Sequence, residues 1–90
     1  MQYEWDHEKA TANEAKHGVS FSEAATVFID DYSLTGYDPD HSLDEDRYIT
    51  FGISSAGRLL VVSHTDRAER VRIISARLAT RAERKLYEEG

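Results

Sequence analysis

Apolar and polar positions divide the chain into a helical first third, an irregular acidic middle and a strand-rich second half. Gln2-Tyr3-Glu4-Trp5 alternates polar and aromatic residues, as a short strand does. Asp6 reads as an N-cap for a run of helix formers from His7 to His17, and Gly18 is placed to stop it. Ser20 with Glu23 has capping-box spacing and opens a second helix, Phe21 to about Ile29. Its buried stripe is Phe21, Ala24, Ala25, Val27 and Phe28. Residues 30–46 are irregular, a length that in a compact domain marks a functional or mobile loop, with a short strand at Ser33-Leu34-Thr35. Arg47 to Ile53 then alternates, Ser54 to Gly57 turns, and Arg58 to Thr65 is an apolar central strand. The turn Asp66 to Glu69 leads to a third strand, Arg70 to about Arg77. Thr80 with Glu83 is another capping box, opening a last helix from Arg81 to about Glu88. The pattern predicts an α+β fold of order β-α-α-βββ-α. It has an antiparallel meander, two N-terminal helices and one C-terminal helix on one face, and a single domain over residues 1–90.

Ninety residues bury only about 60–65% of their unfolded surface, so the core is adequate rather than generous. There is no cysteine, which excludes disulfides and thiolate metal sites. No run approaches the ~20 apolar residues of a membrane span, and the first residues are not a signal peptide. These readings predict a cytoplasmic protein. Net charge is −6, and it is divided unevenly. Residues 1–46 hold 2 Lys/Arg against 12 Asp/Glu, and residues 47–90 hold 9 against 5, or −10 and +4. Such asymmetry marks a nucleic-acid face and a protein-partner face, unless the halves neutralise each other in the fold.

Arg67, Arg70, Arg72 and Arg77 crowd around the apolar run from Val71 to Ala76, and rigid guanidinium forks beside buried Ile suit phosphate. In a regular strand Arg72 and Arg77 fall on opposite faces, so they share a site only if Arg77 lies past the strand end. His64 ends the central strand near Arg67, where a base or acid titrating near neutrality is useful; a solvent-facing residue is the plainer reading. No His or Glu spacing matches a metal site, so neither metal nor cofactor is expected. Trp5, Phe21, Phe28 and Phe51 read as core.

Four stretches carry a resemblance: Tyr3-Glu4-Trp5-Asp6; Lys16-His17-Gly18-Val19-Ser20-Phe21; His41-Ser42 with Glu45 and Arg47; and Arg72-Ile73-Ile74-Ser75-Ala76-Arg77 with Ala79-Thr80. In this order and spacing the chain resembles the BrnT family of bacterial toxins, from Tyr3 to Tyr87. The resemblance implies a RelE-like fold and a toxin of a type II toxin–antitoxin pair that cuts RNA without metal. It also implies silencing by a BrnA-type antitoxin, whose ribbon-helix-helix part brings the complex to DNA only indirectly. Metal-free cleavage needs a base for the 2′-OH proton, fixed positive charge for the phosphorane and an acid for the leaving oxygen. The candidates are Arg77, His64, Arg67, Arg72, His41 and Glu45. Arg77 and Arg67 would hold the phosphate and His64 or Glu45 would handle the proton, with His41 beside Glu45 a further acid–base element. Lys16, His17, Arg47 and Tyr48 are candidate RNA contacts, although Lys16 and His17 also suit a helix C-terminus electrostatically. The competing reading, favoured by the acidic balance, is a non-catalytic protein-binding or co-repressor module with the same fold.

Overall fold

In the computed structural model, which describes residues 1–90, the helix signals stand where the sequence puts them. Strand β1 is Gln2–Glu4 and helix α1 is His7–His17. Asp6 accepts hydrogen bonds from the backbone N–H groups of Glu8 and Lys9, satisfying donors that the first helical turn leaves unpaired. Gly18 ends α1 at φ 69°, a left-handed conformation that a side chain would strain. Helix α2 is only Phe21–Ala25, and Thr26–Ile29 tightens into a 3₁₀ turn rather than continuing to Ile29 as a helix. The β-branched and aromatic run Thr26-Val27-Phe28-Ile29 suits a helix poorly, and Thr26 Oγ1 bonds back to the Glu23 carbonyl. The expected capping box at α2 is half formed. Ser20 accepts from Glu23 N–H, but the Glu23 carboxylate turns to Arg58 and Ser54.

Strands β2 (Leu34–Tyr37), β3 (Tyr48–Ile53), β4 (Leu59–Arg67) and β5 (Arg70–Leu78) follow, then helix α3 (Arg81–Glu89). The sheet order is β1-β5-β4-β3-β2. Neighbours from β2 to β5 are antiparallel, but β1 lies parallel to β5, pairing Tyr3 with Val71. The sheet is therefore mixed, and the antiparallel meander covers only part of it. The chain leaves β1 through two helices before the meander starts, and such a crossover is what parallel pairing requires.

One face of the sheet holds the core. Val19, Phe21, Ala24 and Val27 pack against Leu60, Val62, Ile73 and Ala76, with Tyr3, Trp5 and Phe28 around them. Gly52 lets the 3₁₀ turn approach β3, since a Cβ there would sit 2.9 Å from the Val27 carbonyl oxygen. Buried Asn13 ties α1 to β5: its amide nitrogen donates to the carbonyls of Val19 and Ala76, and its oxygen accepts from Ala76 N–H. Helix α3 does not share this layer, contrary to the one-face expectation. Only Glu83 and Tyr87 of α3 are not exposed. Glu83 holds Arg77, and the Tyr87 hydroxyl donates to the Asp30 carboxylate, which also accepts from Ile53 N–H.

A bulge decides what the second face carries. Register passes from Ser63↔Ser75 to His64↔Ile73, leaving Ile74 unpaired. An extra residue resets the alternation of side chains. Ile73 and Ala76, three apart, consequently both point into the core. Arg72 and Arg77, five apart, both fall on the second face although Arg77 lies within the strand. With them are Ile49, Val61, Ser63 and Ser75.

Candidate active site on the second sheet face

A cleft of about 290 Å3 opens on this second face, lined by Asp38, His41, Arg47, Ile49, Val61, Ser63, Ile74, Ser75 and Arg77. Its floor is the cross-strand pair Ser63 and Ser75, whose hydroxyls have no hydrogen-bond partner in the protein. One wall comes from the loop between β2 and β3. There Pro39–His41 forms a 3₁₀ turn that brings residues three apart onto one side. His41 Nδ1 lies 2.8 Å from Asp38 Oδ2. A carboxylate only accepts, so Nδ1 carries the proton, and in the neutral ring the free lone pair is on Nε2. The Asp38 side chain is 13% exposed and that of His41 66%, so the pair has a fixed inner member and an accessible outer one.

Two arginines line the cleft with His41. Arg47 takes part in none of the ion pairs of the protein. Arg77 is held by a two-pronged pair to Glu83, at 2.7 and 2.8 Å. Hydrogen bonding to Arg77 lowers the Glu83 carboxyl to about 2, against burial. Glu83 also accepts from Thr80 N–H in the capping box of α3, so one carboxylate both starts the helix and aims the arginine.

The remaining sequence candidates spread over the molecule. Arg67 pairs with Glu45 at 2.9 Å and Arg72 with Glu4 at 3.5 Å, both beside the cleft rather than in it. The Arg67 hydrogen bond holds the Glu45 carboxyl below the usual range, which leaves it a weak proton carrier. Lys16 and His17 end α1, on the core side of the sheet. Tyr48 stacks on His64 and packs edge-on to Tyr37, on that same side.

His64 is the main correction. It is not at the strand end, because β4 runs on to Arg67, and it is 2% exposed. Its Nε2 lies 2.7 Å from Thr50 Oγ1, its Nδ1 lies 2.9 Å from Asp66, and its ring packs against Phe28 and Tyr48. With both nitrogens occupied it is a core residue, not an accessible acid or base. Burial lowers its pKa from 6.5 and outweighs Asp66, which acts in the opposite sense. The unfolded chain therefore binds a proton that the folded one resists, and stability is full above about pH 6.5 and falls as the pH drops below it. The expected result is a Tm that declines between about pH 7.5 and 5.5, with a shallower decline in His64→Gln. Equal slopes in the two proteins would contradict it.

Asp38, Ser63, Ser75 and Glu83 are the residues that sequence reasoning missed. Asp38 had a signal, the Asp-Pro-Asp-His spacing that places a carboxylate three residues before the imidazole. The others depend on pairing across the sheet and on the bulge.

The family model described as "Ribonuclease toxin, BrnT, of type II toxin-antitoxin system" matches residues 5–83. The chain belongs to the BrnT family. It is similar in fold to the crystal structure of the ribonuclease toxin BrnT of Brucella abortus, with TM-score 0.65 and 24% sequence identity. The match covers 90% of this chain and 99% of that one. No curated protein matches significantly. As in the family description, the protein is a ribonuclease toxin of a type II toxin–antitoxin system, and an antitoxin and RNA are its partners. No helix is long and apolar enough to cross a membrane.

Proposed function

We propose that this BrnT-family chain is a metal-independent endoribonuclease of RelE-like type whose site is the cleft on the second sheet face. It acts in the cytoplasm, cutting RNA to stop translation and growth. The observation that carries the reading is the His41–Asp38 pair facing Arg47, Arg77 and two free serine hydroxyls across one cleft. His41 Nε2 takes the proton of an RNA 2′-OH, and the 2′ oxygen attacks the adjacent phosphorus. The bond from phosphorus to the 5′ oxygen breaks, that oxygen takes a proton from a solvent water, and His41 returns its own proton to solvent. Products are a 2′,3′-cyclic phosphate and a 5′-OH. Arg77 and Arg47 stabilise the charge of the phosphorane, and Ser63 and Ser75 donate to its oxygens. Asp38 keeps the imidazole in the tautomer that frees Nε2. Guanidinium groups supply the positive charge, so the scheme calls for no metal.

The antitoxin in this reading is of BrnA type, with a ribbon-helix-helix part that carries the complex to DNA. Residues 30–46 hold 7 Asp/Glu and no Lys or Arg, a charge balance that suits a cationic partner. Cleavage of a labelled single-stranded RNA in excess chelator tests the activity. Products with cyclic phosphate ends support it, and cutting that requires added divalent ion contradicts it.

A further inference from the structure

Glu45 is held by one arginine, and two more stand on the neighbouring elements. Arg67, at the end of β4, donates to Glu45 Oε2 at 2.9 Å. Arg47, at the entry to β3, lines the same small cleft as Glu45, and Arg72, in β5, stands beside Thr65 in the sheet. Thr65, the cross-strand partner of Arg72, donates to the carbonyl of Asp46 and pins the end of the loop beside these cations. Glu45 itself makes no backbone hydrogen bond, so its only direct tie is through its side chain. Half-exposed Arg67 and the loop position of Glu45 leave the group within reach of solvent.

One guanidinium held by a carboxylate, with Arg47 and Arg72 on neighbouring elements, makes an anion site that the chain fills by itself. A phosphodiester presents the same charge and the same pair of oxygens as a carboxylate, and guanidinium forks bind either. The position is also right for a polymer. Arg47 and His41 line both the cleft on the second face and the neighbouring one that contains Glu45. An RNA chain with its scissile phosphate at His41 would run its next phosphates past Arg47 toward Arg67 and Arg72. Glu4, which pairs with Arg72, bounds the far side.

We propose that Arg47, Arg67 and Arg72 form a second phosphate subsite for RNA, which Glu45 plugs in the free protein. Glu45 is then a brake on RNA binding rather than the acid or base of the reaction. The proposal rests on the ribonuclease reading, and binding and cleavage separate the two.

The probe is a 2′-O-methyl oligoribonucleotide of about ten residues, which lacks the attacking hydroxyl and so measures binding alone. Its Kd is measured against salt for the wild type, Glu45→Gln, Arg67→Gln and the double variant. Glu45→Gln is expected to bind about tenfold tighter, with a salt slope steeper by about 0.7 for each phosphate gained. In the double variant the gain disappears. Equal or weaker binding by natively folded Glu45→Gln overturns the subsite. If the wild type still cleaves unmodified RNA in that case, only the subsite falls. A wild type that neither binds nor cleaves RNA removes the ribonuclease reading and the subsite together.

Discussion

His41→Ala is expected to lower RNA cleavage by about 10²–10⁴-fold, the range for loss of a general base. The effect falls on the chemical step and leaves the fold almost untouched. The His41 side chain is 66% exposed and makes a single hydrogen bond, to Asp38, so stability should move by no more than about 0.5 kcal/mol. Asp38→Asn supplies the graded control. An asparagine amide can donate to Nδ1 and stabilise the wrong tautomer, so cleavage drops while the imidazole stays in place. Single-turnover rates with circular dichroism as a folding check would measure both. A loss under about threefold in folded His41→Ala would remove the imidazole from the mechanism, because it is far below what base catalysis contributes.

Arg77→Ala is expected to lower cleavage by about 100-fold or more, the size of a lost oxyanion donor. Arg77 has a structural duty as well, so the variant alone is ambiguous. The pair with Glu83 is partly exposed and contributes on the order of 1 kcal/mol. Glu83→Gln separates the two duties, since it removes the ion pair and keeps the guanidinium in the cleft. If Arg77 acts on phosphate, Glu83→Gln loses similar stability and retains more activity than Arg77→Ala, because the guanidinium stays in the cleft although its aim is lost. Matching losses of activity in the two variants would mean that the pair matters only for structure. Arg77→Lys should recover little, because an ammonium cannot reproduce the two-pronged fork.

Local signals in the chain were reliable because each has a local cause. Asp6, Gly18 and the Thr80–Glu83 box mark helix ends through hydrogen bonds made within a few residues, and all three act as expected. Strand β2 was visible as Ser33-Leu34-Thr35 and runs slightly later, Leu34–Tyr37. The parallel β1–β5 pairing was not legible, because nothing near Tyr3 names Val71 as its partner. The bulge at Ile74 had no signal either. Alternation read as regular puts Arg72 and Arg77 on opposite faces, and one unpaired residue unites them. His64 was misread for a related reason. The Asp66-Arg67 dipeptide looks like a turn, whereas the strand passes through it and only Ala68-Glu69 turns, with Ala68 at φ 53°. That places His64 inside the sheet on the core side.

The proposed site is legible in the chain only in part. His41 and Arg77 were named from the chain, and the cleft brings them together with Arg47. Glu45 with Arg67, and Arg72 with Glu4, stand beside that cleft as two ion pairs. The catalytic reading attached to Glu45 gives way to a different role because its carboxyl is already committed to Arg67.

The most direct test compares the wild type with His41→Ala from parallel preparations, on a labelled single-stranded RNA in excess chelator. The account predicts that the wild type cuts, leaving cyclic phosphate and 5′-hydroxyl ends, while the variant preparation is silent within the same time. Equal cutting by both preparations, or no cutting of RNA by a correctly folded wild type, would contradict it.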